Sequence, residues 1–501
     1  MNSQDAILPI AIPLAGAGVA MLLRGWPKAQ RLWTFGILMA SLAMCVNLLN
    51  HVFSSSKPLV FQLGGWAAPF GISIVVDALS AIMIVMVQFV MLMGCIYALD
   101  AKDIAKRYSV FMPLFLTLTV GLTGAMLTGD TFNLFVFMEL IVISAAALTA
   151  MSDDRSGTEA AYKYFYISQL ATIFLLLANG LIYMSYGTLN MADLAIRIKT
   201  DALAGGPMPP MFTLAMVCFF ATFMIKCAAF PFHFWQPDFH AAAPTAVSAM
   251  LSSVVVKSGV YGFIRMTTLL FEPFAPQLQQ VLMLIGAIGV IYGGFSAFGT
   301  HHAKRMFAYS TLAQIGFMLM GIGWGGTLGI AAAIVFMVNH ALIKSAMLML
   351  SGYLASKAQI KSASFENIKG LGKYLPQSGV LFFVGSMALA GLPPLNGFVS
   401  KMMVFRAGIE AEQWAWLAAI GLASLLTLIY TMRAFQWVWF VPPAAGVKAK
   451  KDGDSLFAPT VLILACVVLG IWGESLVSVA IQASEWVQQP AAYIAAVHPA
   501  K

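Results

Sequence analysis

Residues 225–265 read IKCAAFPFHFWQPDFHAAAPTAVSAMLSSVVVKSGVYGFIR, two apolar helical runs joined across Pro231 and Pro237, each with a lysine set into it. The first run begins near 211 and cannot continue as a plain helix through the prolines. Proline removes a backbone donor and clashes with the preceding turn. The second run, 244–269, is unbroken and long enough to cross a hydrocarbon layer, which needs about 20 apolar residues. A break at membrane depth survives only where protein or internal water satisfies the freed backbone groups. The stretch therefore reads as membrane helices carrying buried charge around an interruption.

Composition supports a membrane setting for the whole chain. Of 501 residues, 60% are hydrophobic and only 10% charged, against about a quarter charged in soluble domains. A water-facing surface cannot be built from so few ionic groups without large apolar patches. This excludes a cytosolic enzyme, a nucleic-acid binder and a disordered chain. The net charge of +8 fits basic residues collected in cytoplasmic loops. Cys45, Cys95, Cys218, Cys227 and Cys466 lie in apolar runs without metal-ligand spacing, so neither disulfides nor zinc are expected. The first apolar run has no basic region before it and no cleavage pattern after it, and reads as a retained span.

Outward from the broken run, fourteen apolar stretches follow: 6–23, 32–52, 76–98, 109–127, 131–151, 161–184, 211–236, 244–269, 276–297, 306–323, 328–353, 378–405, 414–440 and 457–478. The expected fold is all-α and polytopic, with about fourteen transmembrane helices. With the amino terminus outside, inner loops hold 18 basic residues, outer segments 6, and the spans the remaining four of 28. That bias matches the positive-inside rule and puts both termini on the periplasmic side of a bacterial inner membrane. Segment 189–200 places Met191, Leu194, Ala195 and Ile198 on one helical face. It reads either as a helix on the membrane surface or as a loop helix packed on other loops.

The informative charges are the ones inside spans: Glu139, Lys226, Lys257, Lys344 and Lys401. Each charged side chain at a helix centre costs roughly 2.5–3.5 kcal/mol on insertion scales. Lysine near a helix end can snorkel to the interface, but Lys257 and Lys344 stand too deep for that. Glu139 is eight residues in, roughly 12 Å of rise, beyond the reach of a carboxylate. Burial brings lysine and glutamate toward the range where protons exchange near neutrality, which is what a proton relay requires. His340 lies four residues before Lys344 on the same face, adding a group that titrates near neutrality. His233, Asp238 and His240 flank the first break as candidates for proton access. Asp77, Asp130 and Glu159 stand at span beginnings, where helix capping or first-turn charge accounts for them.

A second interruption occurs at 388–402, ALAGLPPLNGFVSKM, with Gly391, Pro393, Pro394 and Gly397. Lys226 precedes the first break and Lys401 follows the second. Paired breaks in two halves point to repeats and to transport sites. Five spans separate them, an odd number, so the repeats run in opposite orientations. The expected organisation is three amino-terminal helices (1–108), a first five-helix repeat (109–269), a second (276–440), and a last helix with a short tail (457–501).

These segments resemble the antiporter-like subunits shared by respiratory complex I, membrane-bound hydrogenases and Mrp cation/proton antiporters. The resemblance is carried by GDTFNLFVFMEL (129–140), IKCAAFPFHFWQPDFHAAAPTAVSAMLSSVVVKSGVYGFIRM (225–266), KRMFAYSTLAQIGFM (304–318), NHALIKSAMLMLSG (339–352) and GLPPLNGFVSK (391–401), in that order. GGWAAPFGISIVVDALSA (64–81) looks like the D-type members of Mrp antiporters. The resemblance implies two inverted five-helix repeats and a mid-membrane chain of polar residues. In it Glu139 matches the family's fifth-helix glutamate, Lys226 its partner, and Lys257 the connecting lysine. His340 and Lys344 match the eleventh-helix relay, and Lys401 the position beyond the second break, which is a glutamate in some complex I subunits.

The implied function is proton translocation within a multisubunit monovalent cation/proton antiporter. The alternative is the equivalent pump of NADH:quinone oxidoreductase or a membrane-bound hydrogenase. A transporter subunit is expected, not an enzyme, without cofactor, because the cysteines lack the spacing for iron–sulfur ligation. Expected partners are other membrane subunits, the lipid bilayer, protons and sodium, and no nucleic acid.

Overall fold

The computed structural model describes residues 1–104, 108–152, 154–360, 362–443 and 453–498. Six of the 18 basic residues counted as inner, Lys106, Arg107, Lys361, Lys448, Lys450 and Lys451, and one counted as outer, Lys501, lie outside the described residues. All fourteen apolar runs are helical. Among the described residues, eleven helices are long and apolar enough to cross a membrane, or twelve if the last bent pair is one span. The seventh and twelfth runs fall short because each is divided in two.

The first six runs are α1 (Leu8–Leu22), α2 (Pro27–Ser55), α3 (Ala78–Asp100), α4 (Tyr108–Leu127), α5 (Thr131–Ala150) and α6 (Arg155–Tyr186). Between α2 and α3 the chain forms a small hairpin, β1 (Leu59–Gln62) against β2 (Ser73–Val76), with Leu59 opposite Val76 and Gln62 opposite Ser73. Asp77 caps α3 by accepting from the Ser80 amide, and Asp130 caps α5 through the Asn133 amide. Both fill one of the orphan donors that every helix start leaves.

Segment 189–200 is part of α7 (Met191–Ala204), whose Met191, Leu194, Ala195 and Ile198 are buried. The apolar face therefore packs against other parts of the chain, which decides for the loop-helix reading over a helix lying on lipid.

The seventh run is α8 (Phe212–Lys226), a non-helical stretch, and α9 (Trp235–Ala242). Pro231 lies in the interruption. Pro237 instead sits in the first turn of α9, where a missing amide is tolerated. The eighth run is α10 (Thr245–Leu270), then come α11 (Ala275–Gly299), α12 (Ala303–Trp324) and α13 (Gly326–Lys357). The twelfth run is α14 (Pro376–Ala390) and α15 (Asn396–Glu410). Gly391 ends α14 with φ +84, a conformation L side chains rarely adopt, and Pro393 and Pro394 fill the gap. Gly397 packs so closely on α14 that a Cβ there would stand 1.7 Å from the Ala388 carbonyl oxygen.

After α16 (Trp414–Trp439), the last run is α17 (Phe457–Ile471), which bends by 78° into α18 (Gly473–Val487) and is followed by α19 (Ala491–Val497). The expected short tail is thus two helices that fold back over the bundle. Ser484 donates to the Thr327 carbonyl at the start of α13.

Burial ranks the helices. The apolar window of α10 is wholly buried and that of α12 is 89% buried, whereas α2 and α16 are mostly outward-facing. On α16, Leu422 and Leu425 are each 58% exposed. Such outward leucines would be a liability in water, and they match the hydrocarbon of a bilayer. The ionisable residues set inside spans, with His340, lie on α5, α8, α10, α13 and α15.

Candidate functional site

The site is a line of polar side chains through the bundle. At one end, Glu139 on α5 is half-buried. The Gln169 side chain of α6, with its amide nitrogen turned toward the carboxylate, stands 2.8 and 3.1 Å from the two Glu139 oxygens. Lys226, the last residue of α8, is buried, and its Nζ donates to the Ser168 carbonyl at 3.4 Å. The expected Glu139–Lys226 pair is therefore not a direct ion pair. The neighbouring residues Ser168 and Gln169 stand between the two groups, and the Glu139 charge still reaches Lys226 through space.

At the centre, Lys257 has no exposed surface. Its Nζ donates to the Ser252 carbonyl at 2.7 Å and lies 2.6 Å from Nδ1 of His340. The helix is locally widened into a π-turn at Leu251–Val255, just before the lysine, a distortion often found at functional positions. In the tautomer in which Nδ1 accepts from Lys257, the neutral imidazole carries its proton on Nε2. That nitrogen is buried and meets no protein partner among the described residues. One turn further along α13, Lys344 donates to the Phe307 carbonyl at 2.9 Å, with its ammonium 5.3 Å from the Phe307 ring centre.

The far end is set by the second interruption. Lys401 donates at 2.6 Å to the carbonyl of Ala390, the last residue of α14. That acceptor is free because a helix end leaves its last carbonyls without intrahelical donors. Asn339, beside His340, donates to Ser400 Oγ at 2.8 Å and to the Asn396 carbonyl at 3.0 Å. These bonds tie the His340 turn to the Lys401 turn.

The three candidate access residues separate. His240 is fully buried, with Nδ1 2.9 Å from Ser248 Oγ, and feels the charges of Lys344, Lys304 and Lys257. His233 packs against the Phe230 and Tyr292 rings. Asp238 is half-buried and bridges Lys163 at 3.3 Å and Arg305 at 2.8 Å. Asp238 opens onto a cavity of about 1020 Å³, which is also lined by Lys163, His302, Lys304, Arg305 and Asp454. Lys304 donates to the Ala243 carbonyl and to Thr245 Oγ1, where α10 begins. Burial raises the Asp454 carboxyl above its usual range, with Asp103 adding to the shift, and lowers His302 to about 4, with Lys304 and Arg305 adding to it.

The sequence singled out every charged member of the line but not its neutral ones. Gln169, Ser168, Asn339, Asn396 and Ser400 were signalled only as polar residues inside apolar runs. Arg265, counted among the outer basic residues, is instead buried. It forms a two-pronged ion pair with Asp77 at 2.6 and 2.7 Å. Among the described residues, no group of three His, Cys, Asp or Glu side chains could hold a metal ion.

Residues 128–427, which contain the whole line, match the NADH:quinone oxidoreductase/Mrp antiporter transmembrane family. The chain belongs to this family. The D-type member of the Na(+)/H(+) antiporter of Alkalihalophilus pseudofirmus is 29% identical over 498 residues, 98% of each chain. The N-type member of the NADH-quinone oxidoreductase of Desulforudis audaxviator is 32% identical over 503 residues, covering 96% of this chain and 98% of that one. A chain in the structure of the Mrp complex from Dietzia sp. DQ12-45-1b superposes with a TM-score of 0.88 at 25% identity, covering 99% of both. Membership makes the chain a multi-pass membrane protein of antiporter-like architecture, and the similarity spans nearly its whole length.

Proposed function

We propose that this chain is the proton-translocating subunit of a multisubunit monovalent cation/proton antiporter in the bacterial cell membrane, with both termini on the outer side. It works beside other membrane subunits and exchanges protons for sodium or a similar cation. The observation that carries this reading is the 2.6 Å contact between Lys257 and His340, two buried titratable groups on α10 and α13. It joins the proposed inverted repeats, 109–269 and 276–440.

In this reading a proton passes Glu139 and Lys226, reaches Lys257, crosses to His340 and Lys344, and leaves past Lys401. His240, His233 and Asp238 serve entry from the inner cavity. A positive charge arriving on Lys257 repels one on Lys226 and so loosens its attraction to Glu139, coupling occupancy to access. The interruption at Pro231 ends the helix of Lys226, and the one from Gly391 to Gly397 frees the Ala390 carbonyl that Lys401 uses. Its reaction is transport, with no bond made or broken in a substrate.

The test is sodium-dependent proton movement in everted vesicles. Glu139→Ala and Lys226→Ala are each expected to abolish it while the complex still assembles. Normal activity in both variants sinks the assignment. A second reading, a pump driven by an electron-transfer complex, is favoured by the 32% identity to a membrane component of an NADH-quinone oxidoreductase. Purifying the native assembly decides between them. A flavin or iron–sulfur protein in it selects the redox-driven pump.

A further inference from the structure

Helix α10 carries Lys257, Tyr261 and Arg265 four residues apart, on one face. The nine residues Lys257–Arg265 are regular α-helix, and π-turns flank them at Leu251–Val255 and Met266–Leu270. A π-turn holds one residue more than an α-turn, so the segment between two of them is not kept in register by one continuous α-helical ladder. Something outside the helix must hold it in place.

At the outer end that holder is explicit. The Arg265 guanidinium grips both oxygens of Asp77, and its Nε donates to the Tyr261 hydroxyl at 2.9 Å. Tyr261 in turn donates to the Met126 carbonyl at the end of α4 at 2.7 Å. Asp77 is itself fixed as the cap of α3. The Tyr493 ring of α19 lies 5.5 Å from the guanidinium, and a cavity of about 220 Å³ adjoins the pair. At the other end of the same segment, roughly 12 Å away by helix rise, Lys257 meets His340.

We propose that Asp77 and Arg265 are positioning residues, whose two-pronged ion pair sets the rotation and height of the α10 segment at which Lys257 reaches His340. The inference rests on the proton-relay reading for its consequence, and on the geometry alone for its mechanics. The guanidinium fork fixes direction as well as distance, which a point charge does not. Neither residue carries the proton; both act through where they hold Lys257.

The experiment uses the whole assembled complex in its membrane. Ser253, in the π-turn directly before Lys257, and Ser345 of α13 stand with their hydroxyl oxygens 2.7 Å apart, so their spacing follows the turn that a shifted segment must reshape. Cysteines placed at these two positions report that spacing through their rate of disulfide formation. The variant Asp77→Asn with Arg265→Gln removes both charges together, so no unpaired ion is left buried. In this variant cross-linking is expected to slow at least tenfold, and sodium-dependent proton movement to fall at least tenfold. Arg265→Lys keeps the charge without the fork and is expected to lie between the two. Wild-type cross-linking and transport in the assembled double variant overturn the proposal. So does altered assembly without a change in cross-linking. If the double variant does not assemble, Arg265→Lys decides, and wild-type values for both readouts overturn the proposal. Should Lys257→Ala leave transport intact while the cross-linking change holds, the relay reading falls and the positioning role stands.

Discussion

Lys226 and Lys401 both sit buried beside an interrupted helix, but only Lys226 has a carboxylate within electrostatic reach. Glu139 acts on Lys226 across Ser168 and Gln169. Beyond Lys257 the company changes. His340, Lys344 and Lys401 make no ion pair among the described residues, and their partners are the Lys257 amine and the carbonyls of Phe307 and Ala390. A buried charge left without a counter-ion is costly, whereas a paired and hydrogen-bonded one is tolerated. In the proposed relay, the first half therefore holds charge and the second passes it on. The contact between Lys257 and His340 is where one regime meets the other.

The sharpest way to break this contrast is His340→Gln. Glutamine can still accept from Lys257 but cannot carry a proton, so hydrogen bonding survives and titration does not. Sodium-dependent proton movement is expected to fall at least about 100-fold, the lower range for losing a positioned acid–base group. Assembly is expected to be unchanged. Transport within a few-fold of wild type removes the histidine from the path and with it the proposed junction.

A smaller effect tests the holding half. Gln169→Leu deletes the two donors to Glu139 and keeps side-chain bulk. Hydrogen bonds to a charged group contribute about 1.5–3 kcal/mol, so transport is expected to drop roughly tenfold or more. Asn339→Leu removes bonds that only position the His340 turn, and a loss of a few-fold is expected there. If the two variants are equally impaired, the carboxylate has no special standing and the contrast between halves fails.

How much of this was legible in the sequence depends on which physical signal each feature leaves. Helices were legible because about 20 apolar residues in a row leave few other readings, and both interruptions announced themselves through proline and glycine. The β1–β2 hairpin was missed because two four-residue strands around Gly64 and Gly65 are weak beside such runs. The bend at Trp472 has no proline to betray it. The ionisable members of the line stood out because charge in an apolar run is rare. Their partners did not, because His340 is 83 residues from Lys257, and Arg265 is 188 from Asp77. Backbone acceptors leave no sequence signal at all. The Ala390 carbonyl becomes a lysine partner only because the chain stops being helical there.

The smallest expected effect concerns a histidine outside the membrane-spanning segments. His302 precedes α12 at the cavity of about 1020 Å³, with Nε2 3.3 Å from Ser362 Oγ. Burial and the charges of Lys304 and Arg305 lower it to about 4 from its ordinary 6.5. Between those values the unfolded chain takes up a proton that the folded chain refuses, so stability falls as pH drops through this window. At pH 5 the loss is about 2 kcal/mol, on the order expected for a shift of this size. His302→Asn keeps a residue suited to starting a helix and removes the titration. The thermal midpoint of the purified complex is expected to fall less between pH 7 and pH 5 in this variant than in wild type, with transport at pH 7 unchanged. An identical fall in both assigns the acid sensitivity to other groups. A loss of transport at pH 7 makes His302 part of the entry route, and moves the line between holding and passing charge out to the mouth of the cavity.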